Sequence, residues 1–371
     1  VYVLNSATGT IYIRNTGSIV STGGGGYAVW TPSDATVILE NAGALIGTSS
    51  FTVQFGSSDD IFVVRNGSST NGVVDGFSGT NTLYYGLWTG TGVTVALEGS
   101  ASGMAGNTRF QNAYGSAQGD SITGTSDTNV LVGLDGDDTL SGGAGDDTLW
   151  GADGRDTLLG GDDADLFYGG AGADSMVGGA GDDTYQVTET GDIVTENAAE
   201  GTDAVFTTVS WTVTSGNIEG VYAVGGGITI TGSGMADVLV ADAGGSTLIG
   251  GGGDDTLFGQ GGADVLGGGG GSDVMRAGGG ADTLQGGAGN DQLVGGTGAD
   301  VFVYDAPGWG YDQIFDFLPG SDRLDLRGSG VGSISALTIY AVGGSTVVML
   351  DTARIDLYGV PSLSASDFIF S

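Results

Sequence analysis

The chain has 371 residues, with 78 Gly, four Pro, no Cys and no His, and 44 acidic residues against eight basic ones give a formal net charge of −36. Such a charge excludes a nucleic-acid surface and sets the bare chain against anionic membranes. Without Cys there are no disulfides or thiol redox chemistry, without His there is no usual general base, zinc ligand or serine-protease-type triad, and no apolar run reaches the roughly 18 residues of a spanning helix. The length suggests two or three domains unless the chain is a solenoid, which grows along one axis. It begins at Val1 with no basic stretch leading into an apolar one, as expected of a processed chain or of part of a longer one.

Residues 1 to 78 carry a slow rhythm. The segments IYIRN at 11–15, VILEN at 37–41 and FVVRN at 62–66 recur at nearly even spacing, and after the first two Asn residues come Gly17 and Gly43. YAVW at 27–30 and FTVQF at 51–55 lie between them. Short β-rich runs at this period predict coils of a right-handed parallel β-helix, with the Asn at a turn where its side chain caps the backbone or stacks on the next coil. An immunoglobulin-like sandwich is the alternative, although it gives no reason for Asn at matching points. Asp59 and Asp60 could form a carboxylate pair, but SSDD at 57–60 reads more simply as a turn. Between 79 and 123 the apolar runs continue without a linker, which predicts one solenoid running through residue 115.

From 124 to 186 the chain divides into seven consecutive nines, and from 232 to 303 into eight more in the same register. With 115–123 as a degenerate first unit, the eighth positions are Ile122, Leu131, Leu140, Leu149, Leu158, Phe167, Met176 and Tyr185, then Leu239, Leu248, Leu257, Leu266, Met275, Leu284, Leu293 and Phe302. All sixteen are apolar, and a disordered Gly/Asp-rich chain has no reason to place a core residue at every ninth position. The sixth positions are Asp120, Asn129, Asp138, Asp147, Asp156, Asp165, Asp174 and Asp183, then Asp237, Ser246, Asp255, Asp264, Asp273, Asp282, Asp291 and Asp300. Calcium takes about six to eight oxygens from carboxylates and main-chain carbonyls. Glycine lets a loop visit positive φ and lets carbonyls converge. As mere solvated turn residues these aspartates would be hard to explain, because Glu is only six of the 44 acids and stacked loops would hold carboxylates in mutual repulsion.

The nines match G-G-x-G-x-D-x-U-x, with U a large apolar residue, and on that motif the chain resembles the RTX family of secreted calcium-binding proteins. The resemblance implies an all-β fold: a right-handed parallel β-solenoid in which an N-terminal β-helix continues into two parallel β-rolls, closed by a C-terminal β cap. It implies that each nine is half a turn, so that Asp147 shares ions with Asp165 and Asp183 on one edge while Asp138, Asp156 and Asp174 line the other. The implied ligands are Asp120, Asp138, Asp147, Asp156, Asp165, Asp174, Asp183, Asp237, Asp255, Asp264, Asp273, Asp282, Asp291 and Asp300. Carbonyls at the second and fourth positions would complete the shells, at Gly136, Gly143, Gly145, Gly154, Gly170, Gly172, Gly179 and Gly181 in the first run. In the second run they are Gly251, Gly253, Gly262, Gly269, Gly271, Gly278, Gly280, Gly287, Gly289, Gly296 and Gly298. Asn129, Ser246 and Gln260 depart from the pattern and put the neighbouring ions in doubt.

The expected organisation is an N-terminal β-helix over 1–114, rolls over 115–186 and 232–303, a β-rich spacer of wider coils over 187–231, and a cap with a type I export signal over 304–371. Arg323, Arg327 and Arg354 suit the capping of an acidic roll, and Asp312 with Asp316 is a further candidate calcium pair. Multiple structural calcium ions are the expected cofactor, filling extracellular sites with dissociation constants of roughly 10⁻⁴ to 10⁻³ M. The expected function is a secreted, non-enzymatic surface or matrix protein that folds on calcium and self-associates. The alternatives are the C-terminal part of an extracellular enzyme, or a polysaccharide-binding adhesin module using Trp30, Tyr84, Tyr85, Trp88 and Trp309, residues that in coils are more often core.

Overall fold

The computed structural model describes residues 10–15, 18–20, 29–30, 36–42, 44–46, 51–65, 69–70, 73–76, 78–97, 106–108, 110–198, 200–214, 217–305 and 309–370. They fall into two compact units, 1–195 and 196–371.

In the first unit every strand pair given by the described residues is parallel. Ile13 lies opposite Leu39, Leu39 opposite Phe62, Phe62 opposite Leu83, Leu83 opposite Ala113 and Ala113 opposite Leu131, so the turns are long and unequal as far as Ala113 and then settle to two nines each. The early turns are wide because they have three faces. Ser18–Val20, Ala44–Ile46 and Ser69–Thr70 form a second sheet, and Val29–Trp30, Phe51–Gln54, Val73–Asp75 and Gly106–Thr108 a third. From Asn112–Tyr114 onward the coil has two faces, and its other sheet runs from Thr94–Ala96 through Ser121–Thr123 and Thr139–Ala144 to Ile193–Thr195. Gly115 N donates to Val132 O at 2.7 Å, so the ladder passes residue 115 unbroken. Parallel pairing rules out a sandwich.

The Asn expectation needs one correction. Asn15 Nδ2 does donate to Asn41 Oδ1 at 2.7 Å, and both residues are buried. Asn41, however, pairs with Val64, so the third segment sits out of step with the expected match. Asn66 lies outside the described residues, as do Gly17, Gly43, Tyr27 and Ala28.

The second unit coils in the same way. Val205 lies opposite Val221, Trp211 opposite Ile230, Val221 opposite Leu239 and Ile230 opposite Leu248, so every one of these turns is close to two nines in length. The spacer coils from Val205 onward are therefore about as wide as the nonapeptide coils, because their Val, Trp and Ile occupy the same inward positions as the repeat leucines. Past the last nine the turns widen, with Leu293 opposite Ile314 and Phe302 opposite Leu324. Ala353–Leu357 then pairs parallel with Tyr311–Ile314 and antiparallel with Ser345–Leu350, which is itself antiparallel to Thr338–Val342. Arg354 and Arg327 each hold a nearby aspartate, Asp356 at 2.6 Å and Asp325 at 2.5 Å. Among the described residues there are two short 3₁₀ turns and no α-helix, and no helix is long and apolar enough to cross a membrane.

All sixteen eighth-position side chains are at most 1% exposed. Alternation along each strand buries that residue and turns its neighbours outward, so the core of a roll is a column of two apolar side chains per turn. Phe167 and Tyr185 stack within it, ring centroids 4.7 Å apart. Each buried side chain contributes about 1.5–3 kcal/mol, and the column offers no second layer to absorb a void. Leu158→Ala is therefore expected to cost about 2–5 kcal/mol in chemical denaturation with calcium present, whereas Leu159→Ser on the outer face changes stability by less than about 0.5 kcal/mol.

Candidate metal centre

Each sixth-position residue sits just before a strand, at the edge of the roll, and its carboxylate turns inward. The fourteen aspartates singled out from the sequence are all between 0 and 4% exposed. One carboxylate oxygen, Oδ1, accepts the backbone N–H of the sixth residue two nines earlier. Asp120 N donates to Asp138, Asn129 N to Asp147, Asp138 N to Asp156, Asp147 N to Asp165, Asp156 N to Asp174 and Asp165 N to Asp183, all at 2.7–2.9 Å. The second unit repeats the bond from Asp237 to Asp255, Ser246 to Asp264, Asp255 to Asp273, Asp264 to Asp282, Asp273 to Asp291 and Asp282 to Asp300, at 2.6–2.9 Å. The result is two columns per roll, one on each edge.

The ladder runs beyond the nines, which the motif alone does not reveal. Asp192, Asp312 and Asp322 take the N–H of Asp174, Asp291 and Asp300 at 3.0–3.2 Å. Upstream, Val37 N donates to Asp60 Oδ1 at 2.6 Å and Asp60 N to Asn81 Oδ1 at 3.0 Å, so Asp60 is a rung of this ladder. The Asn81 amide also donates to the carbonyls of Gly76, Ser78 and Gly79 at 3.0, 3.3 and 3.2 Å. Asp316 instead caps Gly295 N and Gly296 N at 3.0 and 2.6 Å, so it and Asp312 serve different loops and do not form the expected pair.

The second carboxylate oxygen sets the chemistry. Oδ2 of Asp138, Asp147, Asp156, Asp165, Asp174, Asp255, Asp264, Asp273, Asp282, Asp291 and Asp300 is buried with no hydrogen-bond partner. Burial pushes Asp138, Asp147, Asp165 and Asp255 from the ordinary 3.8 up to about 7, Asp156, Asp264 and Asp291 up to about 6, and Asp312 up to about 8. The N–H bond to each works downward without cancelling the rise. At the usual strand spacing of about 4.8 Å and an effective dielectric constant of about 20, ionised neighbours would repel by about 3 kcal/mol per pair. A buried, partnerless anionic oxygen repeated at every turn calls for a cation, and an all-oxygen surrounding suits a hard divalent one.

The glycines make room for it. All nineteen glycines singled out from the sequence have positive φ, and Gly161 joins them. A Cβ on first-position Gly142 would strike Asp147 Oδ2, and one on fourth-position Gly154 would overlap the carbonyl oxygen of Gly136 in the coil before it. A side chain at the first position thus has no room beside the partnerless oxygen, and one at the fourth has none beside the carbonyl of the preceding coil. Among the departures, Gln260 adopts the glycine-like conformation, at φ 70°, and leaves Asp264 Oδ2 without a partner. Ser246 has no carboxylate to offer, and its Oγ donates to Gly244 O at 3.2 Å. Asp120 and Asp237 differ from the eleven partnerless aspartates of the nines, because the N–H of Ser116 and of Ser233 reaches their Oδ2 at 2.5 and 2.6 Å. Of the aromatic residues marked as sugar-stacking candidates, Tyr85 and Trp309 are buried, Tyr84 and Trp88 are half-buried, and the Trp30 side chain is outside the described residues.

Stacked acidic loops on a parallel β-roll define a cation-bound solenoid. A family model described as the RTX calcium-binding nonapeptide repeat (four copies) matches residues 114–149, 123–158, 150–185, 231–266 and 267–302. The chain belongs to that family, and its repeats bind calcium as part of the fold. Among solved structures, the AlgE6R2 subunit of the Azotobacter vinelandii mannuronan C5-epimerase is 32% identical, over 32% of this chain and 88% of that one, with a TM-score of 0.26. The AlgE6R3 subunit of the same enzyme is 29% identical, over 37% and 80%, with a TM-score of 0.26. The extracellular lipase LipA of Serratia marcescens is 19% identical, over 68% of this chain and 40% of the lipase, with a TM-score of 0.25. No curated protein sequence matches the chain.

The two kinds of glycine position separate experimentally. Gly154→Ala should raise the calcium concentration needed for folding, followed by circular dichroism, whereas Gly267→Ala, whose new Cβ meets nothing within 4 Å, should leave it unchanged. The pH dependence follows from the raised aspartates. Below 3.8 they are protonated in both folded and unfolded chains, and between 3.8 and about 7 only the fold holds the proton, so the stability this gives is lost as pH rises through the folded values. In calcium-depleted buffer, more β structure by circular dichroism is therefore expected at pH 5 than at pH 8, and the reverse order would contradict the assignment.

Proposed function

We propose that this is a secreted, non-enzymatic structural protein of a bacterial surface or matrix, which folds when it meets extracellular calcium and then associates with itself into a layer or filament. The observation that carries the calcium-dependent part is the row of partnerless carboxylate oxygens in Asp138, Asp147, Asp156, Asp165, Asp174, Asp255, Asp264, Asp273, Asp282, Asp291 and Asp300. In this reading those oxygens hold the ions together with main-chain carbonyls at the second and fourth positions, such as those of Gly143 and Gly145. A site absent from the unfolded chain converts ion binding into folding free energy, so the ion concentration acts as the switch.

A structural role is supported by the chain itself. It has neither His nor Cys, and its described residues are almost entirely coil and cap, with no segment set apart for chemistry. Self-association is supported by the architecture, since a solenoid has repeated faces and two ends, and contact between unlike surfaces gives open assemblies. The test is circular dichroism together with size-exclusion chromatography and electron microscopy, in EGTA and in millimolar calcium. A disordered spectrum in EGTA and a β spectrum with large assemblies in calcium are expected. An unchanged spectrum in EGTA would reject calcium-dependent folding, and a strict monomer in calcium would reject assembly.

A further inference from the structure

The sixth-position carboxylates are of two kinds, and the second residue of each nine, four places earlier, separates them. Eleven nines combine a left-handed second residue with a carboxylate Oδ2 that has no hydrogen-bond partner, as with Gly143 (φ 121°) before Asp147, Gly170 (110°) before Asp174 and Gly269 (108°) before Asp273. Three such residues are not glycine. Leu134 (84°) precedes Asp138, Ala152 (82°) precedes Asp156 and Gln260 (70°) precedes Asp264, and all three carboxylates keep a partnerless oxygen. A side chain at positive φ costs about 1–2 kcal/mol, and such strain persists only where the surroundings demand it.

Where the second residue is not left-handed, its own N–H closes onto the carboxylate. Ser116 N reaches Asp120 Oδ2 at 2.5 Å, Thr188 N reaches Asp192 at 3.1 Å, Ser233 N reaches Asp237 at 2.6 Å and Leu318 N reaches Asp322 at 2.8 Å. These closed loops end one column of open loops at both ends and two others at one end. Asp120 precedes Asp138 and Asp192 follows Asp174 in one column, while Asp237 precedes Asp255 and Asp322 follows Asp300 in two others. At Asn129 the acceptor is an amide oxygen, held by Thr125 N at 2.6 Å, so a closed loop works with no charge on the sixth residue.

Resting on the reading that the open carboxylates hold calcium, we infer that the closed loops of Asp120, Asp192, Asp237 and Asp322 take no ion, and that each ion column stops where the second residue's N–H occupies the carboxylate. An N–H hydrogen offers a partial positive charge to the oxygen that an ion would use, and the hydrogen bond competes with the ion for that oxygen. An aspartate at position six is thus not sufficient for a site, and a non-glycine at position two does not abolish one.

The test counts calcium on the full chain by native mass spectrometry and equilibrium dialysis, for the wild type and for Asp120→Asn, Asp237→Asn, Asp156→Asn and Asp273→Asn. The first two variants should keep the wild-type number of ions and calcium midpoint, and the last two should each lose ions. Should the last two fold poorly, Asp120→Asn and Asp237→Asn still decide the matter, because a loss of ions from either would overturn the inference. A wild type that binds ions, with Asp237→Asn losing as many as Asp273→Asn, overturns this inference alone. A wild type that binds none overturns the calcium reading beneath it.

Discussion

A carboxylate buried at the edge of each half-turn faces two demands at once. One oxygen completes the backbone of the coil before it, accepting an N–H that would otherwise be lost inside the protein, and this fixes where the aspartate must stand. In the open loops the other oxygen is left in a dry place with no donor. The glycine-rich loop cannot bring its own amides to that oxygen, because left-handed backbone at the second position turns them elsewhere. In the open loops the hydrogen bond that aligns the coils thus comes together with the need for a cation.

The N-terminal coils show the same wiring with a different solution. At Asn81 three main-chain carbonyls gather around an amide nitrogen, which donates to them as a neutral group. Such a turn requires no counter-charge. It also costs sequence, because a wide coil such as that from Leu83 to Ala113 uses much more chain than an ion-bound coil such as that from Leu131 to Leu149.

Much of the roll was readable from the sequence because its signals are periodic. An apolar residue at every ninth position, from Ile122 to Tyr185 and from Leu239 to Phe302, specifies the core column whatever the family, and all of these residues are buried. The early coils were harder, because three unequal faces have no constant period, and the match of FVVRN to the segments before it was misplaced, with Val64 and not Asn66 opposite Asn41. The spacer hid its coils for a different reason. Without Gly and Asp at the edges, nothing in its Val and Trp residues marks the turns, although the pairing continues from Val205 through Val221 to Leu239. The two kinds of loop were not legible at all, since φ at Leu134 or Gln260 depends on the neighbouring coils and not on residue type.

The bond from each sixth-position N–H to the carboxylate two nines further on has a bearing on how such a chain can change length. Removing a pair of nines brings the next acceptor on the same edge into place and keeps each strand in its own sheet. Removing a single nine moves everything downstream to the opposite edge, so that the cap strand Tyr311–Ile314, which continues the sheet of Gln292–Gly298, would meet the wrong face. The working unit of this polymer is the pair of nines, and a viable roll can be lengthened or shortened only in whole turns.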